Sequence, residues 1–338
     1  MTPSALRFFG LLVSAGALSA CVTSTANVLR YEPFESEAAT QAALRAAGPE
    51  LRLMTWNIGY GGLGASSDFI AEGGKRLRAP SRAAVADNAA GVAATLEAHP
   101  ADVVLMQELA GPGLLTRNVD VAGAVREAAG EARFYFSPDV RSRIWPGTLS
   151  LVHGPAMIVS VDADEPAAVD LPDEPHALAY LIARNYHAMS LDLDVGGAPW
   201  TLINVHLAAY ETSGTRARQL EAVFGYAERR RKEGRAVVIG GDFNMALRDG
   251  WDSDGPPLPR EAFPPGWSIV ADASRPTVRG KSGPYVEGVS RVSLIDGFIV
   301  SPEVRAVSVE TLATGFRYAD HQPVTAVFVR ADGGDPPT

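Results

Sequence analysis

The chain has 338 residues, of which 46% are hydrophobic and 20% charged, and its formal net charge is −9. This composition is typical of a globular protein with ample apolar material for a core, and it argues against a disordered chain. An acidic chain has no long-range attraction for nucleic acid, so we expect no sequence-specific nucleic-acid binding. The single cysteine, Cys21, excludes an intrachain disulfide and a cysteine-based zinc site.

The N-terminal residues combine a positive charge with a short apolar run. Arg7 supplies a positive charge, and residues 8–18 are apolar but too few to span a bilayer. Residues 18–21 read LSAC and resemble a lipobox, whose cysteine is acylated. We therefore predict removal of residues 1–20, a lipid at Cys21 and a place in the cell envelope outside the cytoplasm, at the outer membrane in a Gram-negative source. The alternative is an ordinary signal peptide or hydrophobic tail with a chance cysteine.

The rest of the chain is predicted to form one domain between two polar segments. Residues 21–50 are polar and alanine-rich, which predicts a tether, with a short helix near residues 37–47 as one option. Residues 331–338 are predicted to be a disordered tail. Between them, in residues 51–330, strand patterns outnumber helical ones and the helices are interspersed. That order predicts an α/β fold in which two sheets pack together and helices lie outside.

Most predicted elements in this domain are strands. Helical spacing occurs at residues 81–100, where Ser81 is the expected N-cap, and at residues 212–234, where Leu220, Val223, Phe224 and Ala227 share a face. The predicted strands, in chain order, lie within residues 51–58, 101–108, 134–137, 148–152, 156–161, 177–195, 198–207, 236–241, 292–301, 304–312 and 323–329.

Polar side chains of catalytic type follow the apolar runs at six places. A strand end is a rigid platform, and residues i and i+2 of a strand point to the same side, so Asp242 and Asn244 could aim at one point. The simpler alternative is a polar turn closed by a side-chain hydrogen bond. Carboxylates and carboxamides are hard oxygen ligands, whereas imidazoles transfer protons near neutral pH. The six places hold Asn57, Glu108, His206, Asp242 with Asn244, Asp296, and Asp320 with His321.

The short motifs around these residues occur in a recognisable order. They read WN, QE, N-x-H-L, GDFN, L-I-D and A-D-H. This series resembles the endonuclease/exonuclease/phosphatase superfamily, which includes DNase I-like nucleases, sphingomyelinases and inositol-phosphate 5-phosphatases. The resemblance covers residues 51–330 and implies a four-layered α/β sandwich, with two mainly antiparallel sheets packed together and helices outside. It is weakest at Ala319, where relatives usually have serine, and at residues 154–161.

The resemblance also implies a metal site and a phosphate contact. Glu108 would bind the ion, with Asn57 beside it and Asp320 completing the shell. The ion would be Mg²⁺ or Mn²⁺, which hard oxygen ligands suit. Arg184 falls where relatives place an arginine that reaches the phosphate.

The remaining motif residues would carry the reaction, which the resemblance implies is an in-line attack of water on phosphorus. Asp242 would position or activate the water, and Asn244 would hold the water or the phosphate. Asp296 would fix the imidazole of His321, while His206 would contact phosphoryl oxygens or help to protonate the leaving group. Asp242 and His321 both remain candidates for the general base.

Other polar residues have two interpretations each. The basic runs at residues 75–82 and 275–285 could rim the site or be solvated loops. His187 alternates with Arg184 along a strand, and either could face the site. His99 is expected at a solvated helix end. The two remaining histidines, His153 and His176, are expected in solvated loops.

These observations predict a Mg²⁺-dependent hydrolase of phosphoester bonds, a phosphodiesterase or a phosphatase. The protein is expected to be a monomer that reaches the membrane through its N-terminal lipid. That location favours a phospholipid headgroup or extracellular nucleic acid as the substrate. The alternative is a non-catalytic surface lipoprotein that uses the fold to bind a partner, but such a protein would not need to keep both Asp242 and His321.

Overall fold

The structure is a computed structural model, and it describes most of the chain. The described residues are 29–31, 44–143, 150–173, 185–209, 214–251 and 257–331. Cys21, His176 and Arg184 lie outside the described residues. None of the helices in the described ranges is long and apolar enough to cross a membrane.

Sixteen strands and three α-helices form in the described residues. The strands are β1 (Leu29–Tyr31), β2 (Glu50–Asn57), β3 (Val103–Ala110), β4 (Arg133–Phe136), β5 (Val140–Arg143), β6 (Ser150–Val159), β7 (Ala167–Asp170), β8 (His187–Val195), β9 (Ala198–His206), β10 (Ala236–Asp242), β11 (Ser268–Val270), β12 (Val278–Arg279), β13 (Val292–Ser293), β14 (Asp296–Val300), β15 (Val304–Thr311) and β16 (Val324–Arg330). The helices are α1 (Arg82–Ala98), α2 (Val121–Ala128) and α3 (Thr215–Lys232), and short 3₁₀ turns form at Gly59–Gly61, Ile70–Glu72 and Arg260–Ala262.

Two large sheets organise the chain. The first has the strand order β1-β4-β6-β3-β2-β16-β15, with β5 paired to β6, and the second has the order β11-β14-β10-β9-β8-β7. Strand pairs are antiparallel except β2 with β3 and β9 with β10, which are parallel. The carboxyl ends of each parallel pair lie at one edge of their sheet. The predicted arrangement of two mainly antiparallel sheets is therefore confirmed.

The two sheets pack face to face with helices outside. Along β2, Leu51 and Leu53 enter the core between the sheets, whereas Met54 and Trp56 enter the core under α1 and α2. This division follows from the two-residue period of a strand. On the other side, α3 covers the second sheet with Leu220, Val223, Phe224 and Ala227, the side chains predicted to share its buried face. The layers are thus helix, sheet, sheet and helix, the four-layered α/β sandwich that the resemblance implies.

Part of the predicted tether packs against this domain. The backbone of β1 pairs with β4. Arg45 and Ala47 form isolated bridges to Val161 and Val195, and Ala47 is buried in the core between the sheets. In its described part, residues 44–47, the segment near residues 37–47 is therefore extended rather than helical. The sheets thus take in residues that precede Leu51, and the other domain boundaries remain predictions.

The local signals of the sequence have mixed outcomes. Ser81 caps α1 as predicted, since its side chain accepts a hydrogen bond from Ala84 N at 3.0 Å, and His99 lies exposed at the end of that helix. The two strands predicted around residues 148–161 are one strand, β6. His153 belongs to this strand and is buried, so its predicted place in a solvated loop is wrong. Its ring instead packs edge-on against Tyr60, with ring centroids 5.0 Å apart.

Candidate active site at the strand ends

Three of the candidate residues are set side by side by strand pairing. His206 ends β9, Asp242 ends β10 and Asp296 begins the antiparallel strand β14. Asp242 is the Cα partner of His206 on one side and of Asp296 on the other. Backbone hydrogen bonds therefore fix the separation of these three side chains at one edge of the second sheet.

The glycine before Asp242 permits this close pairing. Gly241 has a φ of +150°, and a Cβ atom there would lie 2.0 Å from the carbonyl oxygen of Val205 in β9. Only glycine avoids that clash while it keeps this backbone conformation. The glycines of the GDFN motif region thus bring β10 against β9 at the point where the catalytic candidates emerge.

Asp242 is the centre of the cluster, and its side chain is buried. Its Oδ2 accepts a hydrogen bond from Asn57 Nδ2 at 3.0 Å, and its Oδ1 accepts one from the backbone N–H of Asn244 at 2.8 Å. His206 Nε2 lies 3.6 Å from Oδ2, and His321 Nε2 lies 3.8 Å from the same oxygen. Residues that are distant in sequence thus converge on one carboxylate. The turn hydrogen bond considered for GDFN is present as well, so the two interpretations of this motif are compatible.

His321 and Asp296 form the carboxylate–imidazole pair that the resemblance implies. His321 Nδ1 lies 2.9 Å from one Asp296 oxygen and 3.1 Å from the other. The indole Nε1 of Trp56 donates to the carbonyl oxygen of His321 at 3.0 Å, which explains the tryptophan that precedes Asn57. The ring is therefore held through its side chain and its backbone.

Glu108 enters the cluster through an irregularity in β3. The pairing of β3 with β6 shifts between Met106 and Leu109, and Glu108 has a φ of +53°. A left-handed conformation is uncommon for a glutamate and is a feature found at functional sites. The bulge brings Glu108 Oε1 to 3.5 Å from His206 Nε2, so the first sheet contributes a carboxylate to the cluster on the second sheet.

Asp320 is held by a buried lysine. Lys281 Nζ donates to Asp320 Oδ2 at 2.7 Å and lies 2.8 Å from Glu72 Oε1. The other oxygen of Asp320, Oδ1, is buried and has no hydrogen-bond partner. A Cβ atom on Gly59 would lie 2.4 Å from this oxygen, so Oδ1 faces the turn that follows Asn57.

Two groups in the site could hold a metal ion. Asp242, Asp296 and His321 present ligand atoms within 4.8 Å of one another, although His321 Nδ1 already lies against Asp296. The second group is the one implied by the resemblance, namely Asn57, Glu108 and Asp320. The unpartnered Oδ1 of Asp320 and the oxygen-bearing side chains of this group fit a hard divalent cation at the second group.

Burial and neighbouring charges raise the pKa values of two residues in the cluster, Asp242 and His321. Burial, together with the charge of Asp296, raises the pKa of Asp242 to about 6, against the lowering influence of His321 and of the hydrogen bonds from Asn244 and Asn57. Burial disfavours a charged imidazole, but the carboxylates of Asp296, Asp320 and Asp242 outweigh it and raise the pKa of His321 to about 10. At neutral pH the site therefore holds a mostly ionised Asp242 beside an imidazolium.

The pKa of Asp320 moves in the opposite direction from that of Asp242. Burial opposes its ionisation, but the positive charges of Lys281, His321 and Arg279 and the hydrogen bond from Lys281 hold its pKa below the usual value. Asp320 is therefore ionised, which a metal ligand requires.

Sequence reasoning missed the polar residues that join the two sheets below the site. Gln107 Nε2 donates to Asn204 Oδ1 at 2.7 Å and to Thr55 Oγ1 at 3.1 Å. Asn204 Nδ2 donates to the carbonyl oxygens of Met106 and Ala156, both at 3.0 Å. Gln107 and Asn204 are the first residues of the QE and N-x-H motifs. Their place in those motifs was the signal that could have found them.

A threonine in the second basic run was also missed. Thr277 Oγ1 accepts hydrogen bonds from the backbone N–H groups of Ile295 at 3.0 Å and Asp296 at 3.1 Å. It therefore orients the start of β14, where Asp296 emerges. Its effect on Asp296 could not be read from spacing because 19 residues separate the two.

The other candidates have structural partners or lie outside the description. Arg279 is buried and donates through Nη2 to the carbonyl oxygens of Leu63 and Gly64, both at 2.8 Å, so it holds a loop rather than rims the site. His187 is buried, and its ring nitrogens lie 2.7 Å from Ser137 Oγ and 3.1 Å from the Asn185 carbonyl oxygen, a structural arrangement. Arg184 lies outside the described residues, so its predicted phosphate contact remains a prediction.

Comparison with known proteins identifies a matching family. The family described as "Endonuclease/Exonuclease/phosphatase family" matches residues 54–321, which is 268 of 338 residues (321 − 54 + 1). The match begins within β2 and ends at His321, so it includes all eight clustered candidates. No curated protein matches the sequence at a significant level.

Solved structures of similar fold come from several organisms. An endonuclease/exonuclease/phosphatase from Beutenbergia cavernae DSM 12333 is 18% identical, with 83% of this chain and 72% of that chain covered and a TM-score of 0.59. The one from Bacteroides vulgatus is 17% identical, covering 83% and 99%, with a TM-score of 0.55. D. rerio TDP2, complexed with single strand DNA product, is 17% identical, covering 82% and 98%, with a TM-score of 0.55. Identities this low establish the shared fold alone.

Proposed function

The chain belongs to the endonuclease/exonuclease/phosphatase family, whose members are typically hydrolases of phosphoester bonds, and from this premise we propose that it is a Mg²⁺-dependent phosphoester hydrolase. The observation that carries the proposal is the convergence on Asp242. Asn57, His206 and His321 reach its Oδ2 at 3.0 to 3.8 Å from three separate parts of the chain. A buried cluster of ionisable groups with shifted pKa values is a feature of catalytic sites.

Asp242 is proposed as the general base. Its pKa of about 6 leaves it ionised at neutral pH yet basic enough to accept a proton from water. Its two oxygens are fixed by Asn57 and by the backbone N–H of Asn244, so the carboxylate is oriented before substrate binds.

His321 has a different role because it is already protonated. An imidazolium with a pKa of about 10 cannot accept the proton of water at neutral pH, but it can donate a hydrogen bond to a phosphoryl oxygen. Asp296 holds Nδ1, which leaves Nε2 on the side of Asp242. His206, between Glu108 and Asp242, is placed to contact a second oxygen or the leaving group.

Asn57, Glu108 and Asp320 are the residues proposed to hold the Mg²⁺ ion. When bound, the ion supplies positive charge that stabilises the extra negative charge on phosphate oxygens in the transition state. The chain contributes hard oxygen ligands, and the unpartnered Asp320 Oδ1 is the atom with the clearest need of a partner.

An assay panel tests the proposal directly. The full chain is incubated with phospholipid, nucleic-acid and inositol-phosphate substrates and with a soluble chromogenic phosphodiester, in chelator and then with Mg²⁺ or Mn²⁺ restored. We expect turnover that chelation abolishes and Mg²⁺ restores, and that Asp242→Asn lacks. Exposed Asp87→Asn, on α1, is the matched control and should be active. Turnover of no substrate by a folded wild type would contradict the proposal and favour a non-catalytic surface lipoprotein.

We also propose that the protein is lipid-anchored outside the cytoplasm, on the basis of the LSAC sequence that ends at Cys21. This location supports a phospholipid headgroup or extracellular nucleic acid as the substrate. Radiolabelled fatty acid should enter the wild type and not Cys21→Ala when both are expressed in bacteria. Equal labelling of the two proteins would refute the anchor without affecting the proposal on catalysis.

A further inference from the structure

Exposed apolar side chains concentrate on two loops next to the site. Among the described residues, five large apolar side chains are exposed: Ile70 (55%), Leu77 (58%), Val286 (53%), Val289 (79%) and Val307 (50%). Isolated exposed apolar residues are normal on protein surfaces and need no explanation. Four of these five, however, lie in residues 58–81, the first rim loop, or residues 280–291, the second rim loop.

The two rim loops form one continuous surface. Phe69 N donates to the Lys281 carbonyl oxygen at 2.8 Å, and Tyr285 N donates to the Ala65 carbonyl oxygen at 2.7 Å. Lys281 also joins the loops through its ion pair with Glu72. Within the first rim loop, Ile70 N donates to the Arg76 carbonyl oxygen at 2.8 Å, which brings Leu77 close to Ile70.

This surface borders the candidate active site. The first rim loop begins directly after Asn57, and the second contains Lys281, which pairs with Asp320 at 2.7 Å. The two rim loops are therefore joined directly to residues proposed to hold the metal ion. Val307, the fifth exposed apolar residue, lies on β15 at the edge of the first sheet and does not belong to the rim.

The charge of the rim differs from that of the rest of the protein. The two loops hold five basic and three acidic residues, a net charge of +2, so the other residues sum to −11 within the total of −9. Lys75 and Arg78 flank the exposed Leu77. Basic residues beside protruding apolar ones match the surface of a membrane with anionic lipids, which attracts cations and accepts apolar side chains.

The side-chain types favour lipid over nucleic acid as the occupant. Proteins that bind single strands place aromatic rings under the bases, because stacking requires a flat π surface. The protruding residues of the rim are isoleucine, leucine and valine, which cannot stack on bases but partition into the acyl region of a bilayer.

We propose that the two rim loops dock the domain on an anionic lipid surface, with Ile70, Leu77, Val286 and Val289 inserted among the lipids, so that the active site faces phosphoesters of the membrane. This inference rests on the proposed function for the identity of the substrate as a phospholipid. It does not depend on acylation of Cys21, because the rim belongs to the folded domain.

A single fluorophore can report which face touches lipid. Cys21 is the only cysteine, so Cys21→Ala in the full chain removes every thiol. Val289→Cys or the control Val307→Cys is then added and labelled with an environment-sensitive dye. Vesicles of phosphatidylcholine with phosphatidylglycerol should shift the emission of the dye at position 289 to the blue, and spin-labelled lipid should quench it. The dye at position 307 should not respond, although both proteins share the same N-terminal segment.

A second comparison links docking to turnover. Val286→Ser/Val289→Ser is compared with Val307→Ser through the ratio of hydrolysis of vesicle phospholipid to hydrolysis of a soluble phosphodiester. Loss of two inserted aliphatic side chains should lower this ratio about tenfold or more. Val307→Ser should keep the wild-type ratio.

Several results would overturn the docking surface. One is an equal dye response at positions 289 and 307. Another is an emission shift at position 289 that depends on protein concentration without vesicles, which would indicate contact with a second copy of the chain. The third is an emission shift caused by a single-stranded oligonucleotide but not by vesicles. If instead the dye at 289 inserts but no phosphoester is hydrolysed, the proposed function fails and the docking surface stands.

Discussion

The site has two halves that are held in place by different means. In the first half, His206, Asp242 and Asp296 stand on neighbouring strands, and backbone pairing sets their spacing. In the second half, a bulge, ion pairs and side-chain hydrogen bonds place Glu108, Asp320 and His321, beside Asn57 at the end of β2. Strand pairing survives the loss of one side chain, whereas an ion pair does not. Substitutions in the first half should therefore leave the spacing of the remaining strand-borne side chains unchanged, and those in the second half should also lose the interactions that position their neighbours.

The largest expected effect comes from removing one residue from each half. Asp242→Ala and His321→Ala should each lower kcat by about 10²–10⁴, the scale of lost acid–base and electrostatic help. Because both residues serve the same step, the double variant should be little worse than the poorer single variant. The measurement is kcat on the best substrate, with circular dichroism to establish folding.

The two halves should differ in these variants. Asp242→Ala should unfold at or above the wild-type temperature, since it removes a buried carboxylate whose pKa is raised by burial. His321→Ala should unfold at a lower temperature, because three nearby carboxylates lose their imidazolium. A folded Asp242→Ala protein with near wild-type turnover would show that GDFN is only a turn.

Lys281→Met should destabilise the protein by about 3 kcal/mol, because it leaves the buried Asp320 and the half-buried Glu72 without their cation. Lys75→Met is the matched control and should have little effect, since Lys75 is exposed. Chemical denaturation measures both. The variant Glu72→Gln/Lys281→Gln, which keeps hydrogen-bonding groups but removes two charges, should recover part of the loss. Equal stability of Lys281→Met and wild type would mean that the ion pair does not fix Asp320.

Gly241→Ala tests whether backbone pairing fixes the first half. The added Cβ would meet the Val205 carbonyl oxygen at 2.0 Å with φ at +150°, so β10 must move away from β9. We expect the free energy of unfolding to fall by about 2 kcal/mol. We also expect a lower kcat, although no catalytic side chain is changed. Gly48→Ala is the control, because nothing lies within 4 Å of the added atom. If Gly241→Ala lost stability without a change in kcat, the pairing of β9 with β10 would not be what fixes the distances between the catalytic side chains.

The smallest expected effect is on the pH dependence of kcat/KM. One residue from each half of the site should set one of its two limits, Asp242 the acid limit and His321 the alkaline limit. Asp242 acts when ionised, so kcat/KM should rise with pH and reach half its plateau near pH 6. His321 acts when protonated, so kcat/KM should fall as pH passes about 10. His321→Gln should lose the alkaline limit and keep the acid one. A variant that loses the acid limit instead would reverse the two assignments.

The stability of the folded protein should also depend on the protonation of His321. Its folded pKa of about 10 exceeds the usual value of 6.5, so its stabilising contribution is complete below about pH 6.5 and is lost as pH rises through about 10. Thermal unfolding of wild type and His321→Gln should therefore converge above pH 10.

The sequence predicted the first half of the site better than the second. The apolar runs with polar residues at their ends located His206, Asp242 and Asp296, because regular pairing turns a sequence pattern into spatial order. Asp296, however, begins β14 instead of following a strand. The position of Glu108 depends on a bulge and a positive φ, which no periodicity encodes. The Lys281–Asp320 ion pair joins residues 39 positions apart, and a basic residue in a loop is usually solvated, so both interpretations stayed open.

The burial of polar residues within strands was also not predicted from the sequence. His153 was expected in a solvated loop, yet β6 continues past it through Gly154 and Pro155. Gln107 and Asn204 are polar residues in apolar strands, and only the second sheet reveals that each is the partner of the other. The four-layered order, by contrast, was predictable because the motifs occur in the same order as in the superfamily that they resemble.

Lys281 also gives the protein a built-in chemical clock. The chain has three lysines, and Lys75 and Lys232 are exposed while the Lys281 side chain is only 10% exposed and bound to two carboxylates. An amine-directed reagent should label the first two at once and Lys281 only when its segment opens. Mass spectrometry of pulse-labelled protein would then time the opening of this one loop, with the two outer lysines as internal standards for reagent reactivity.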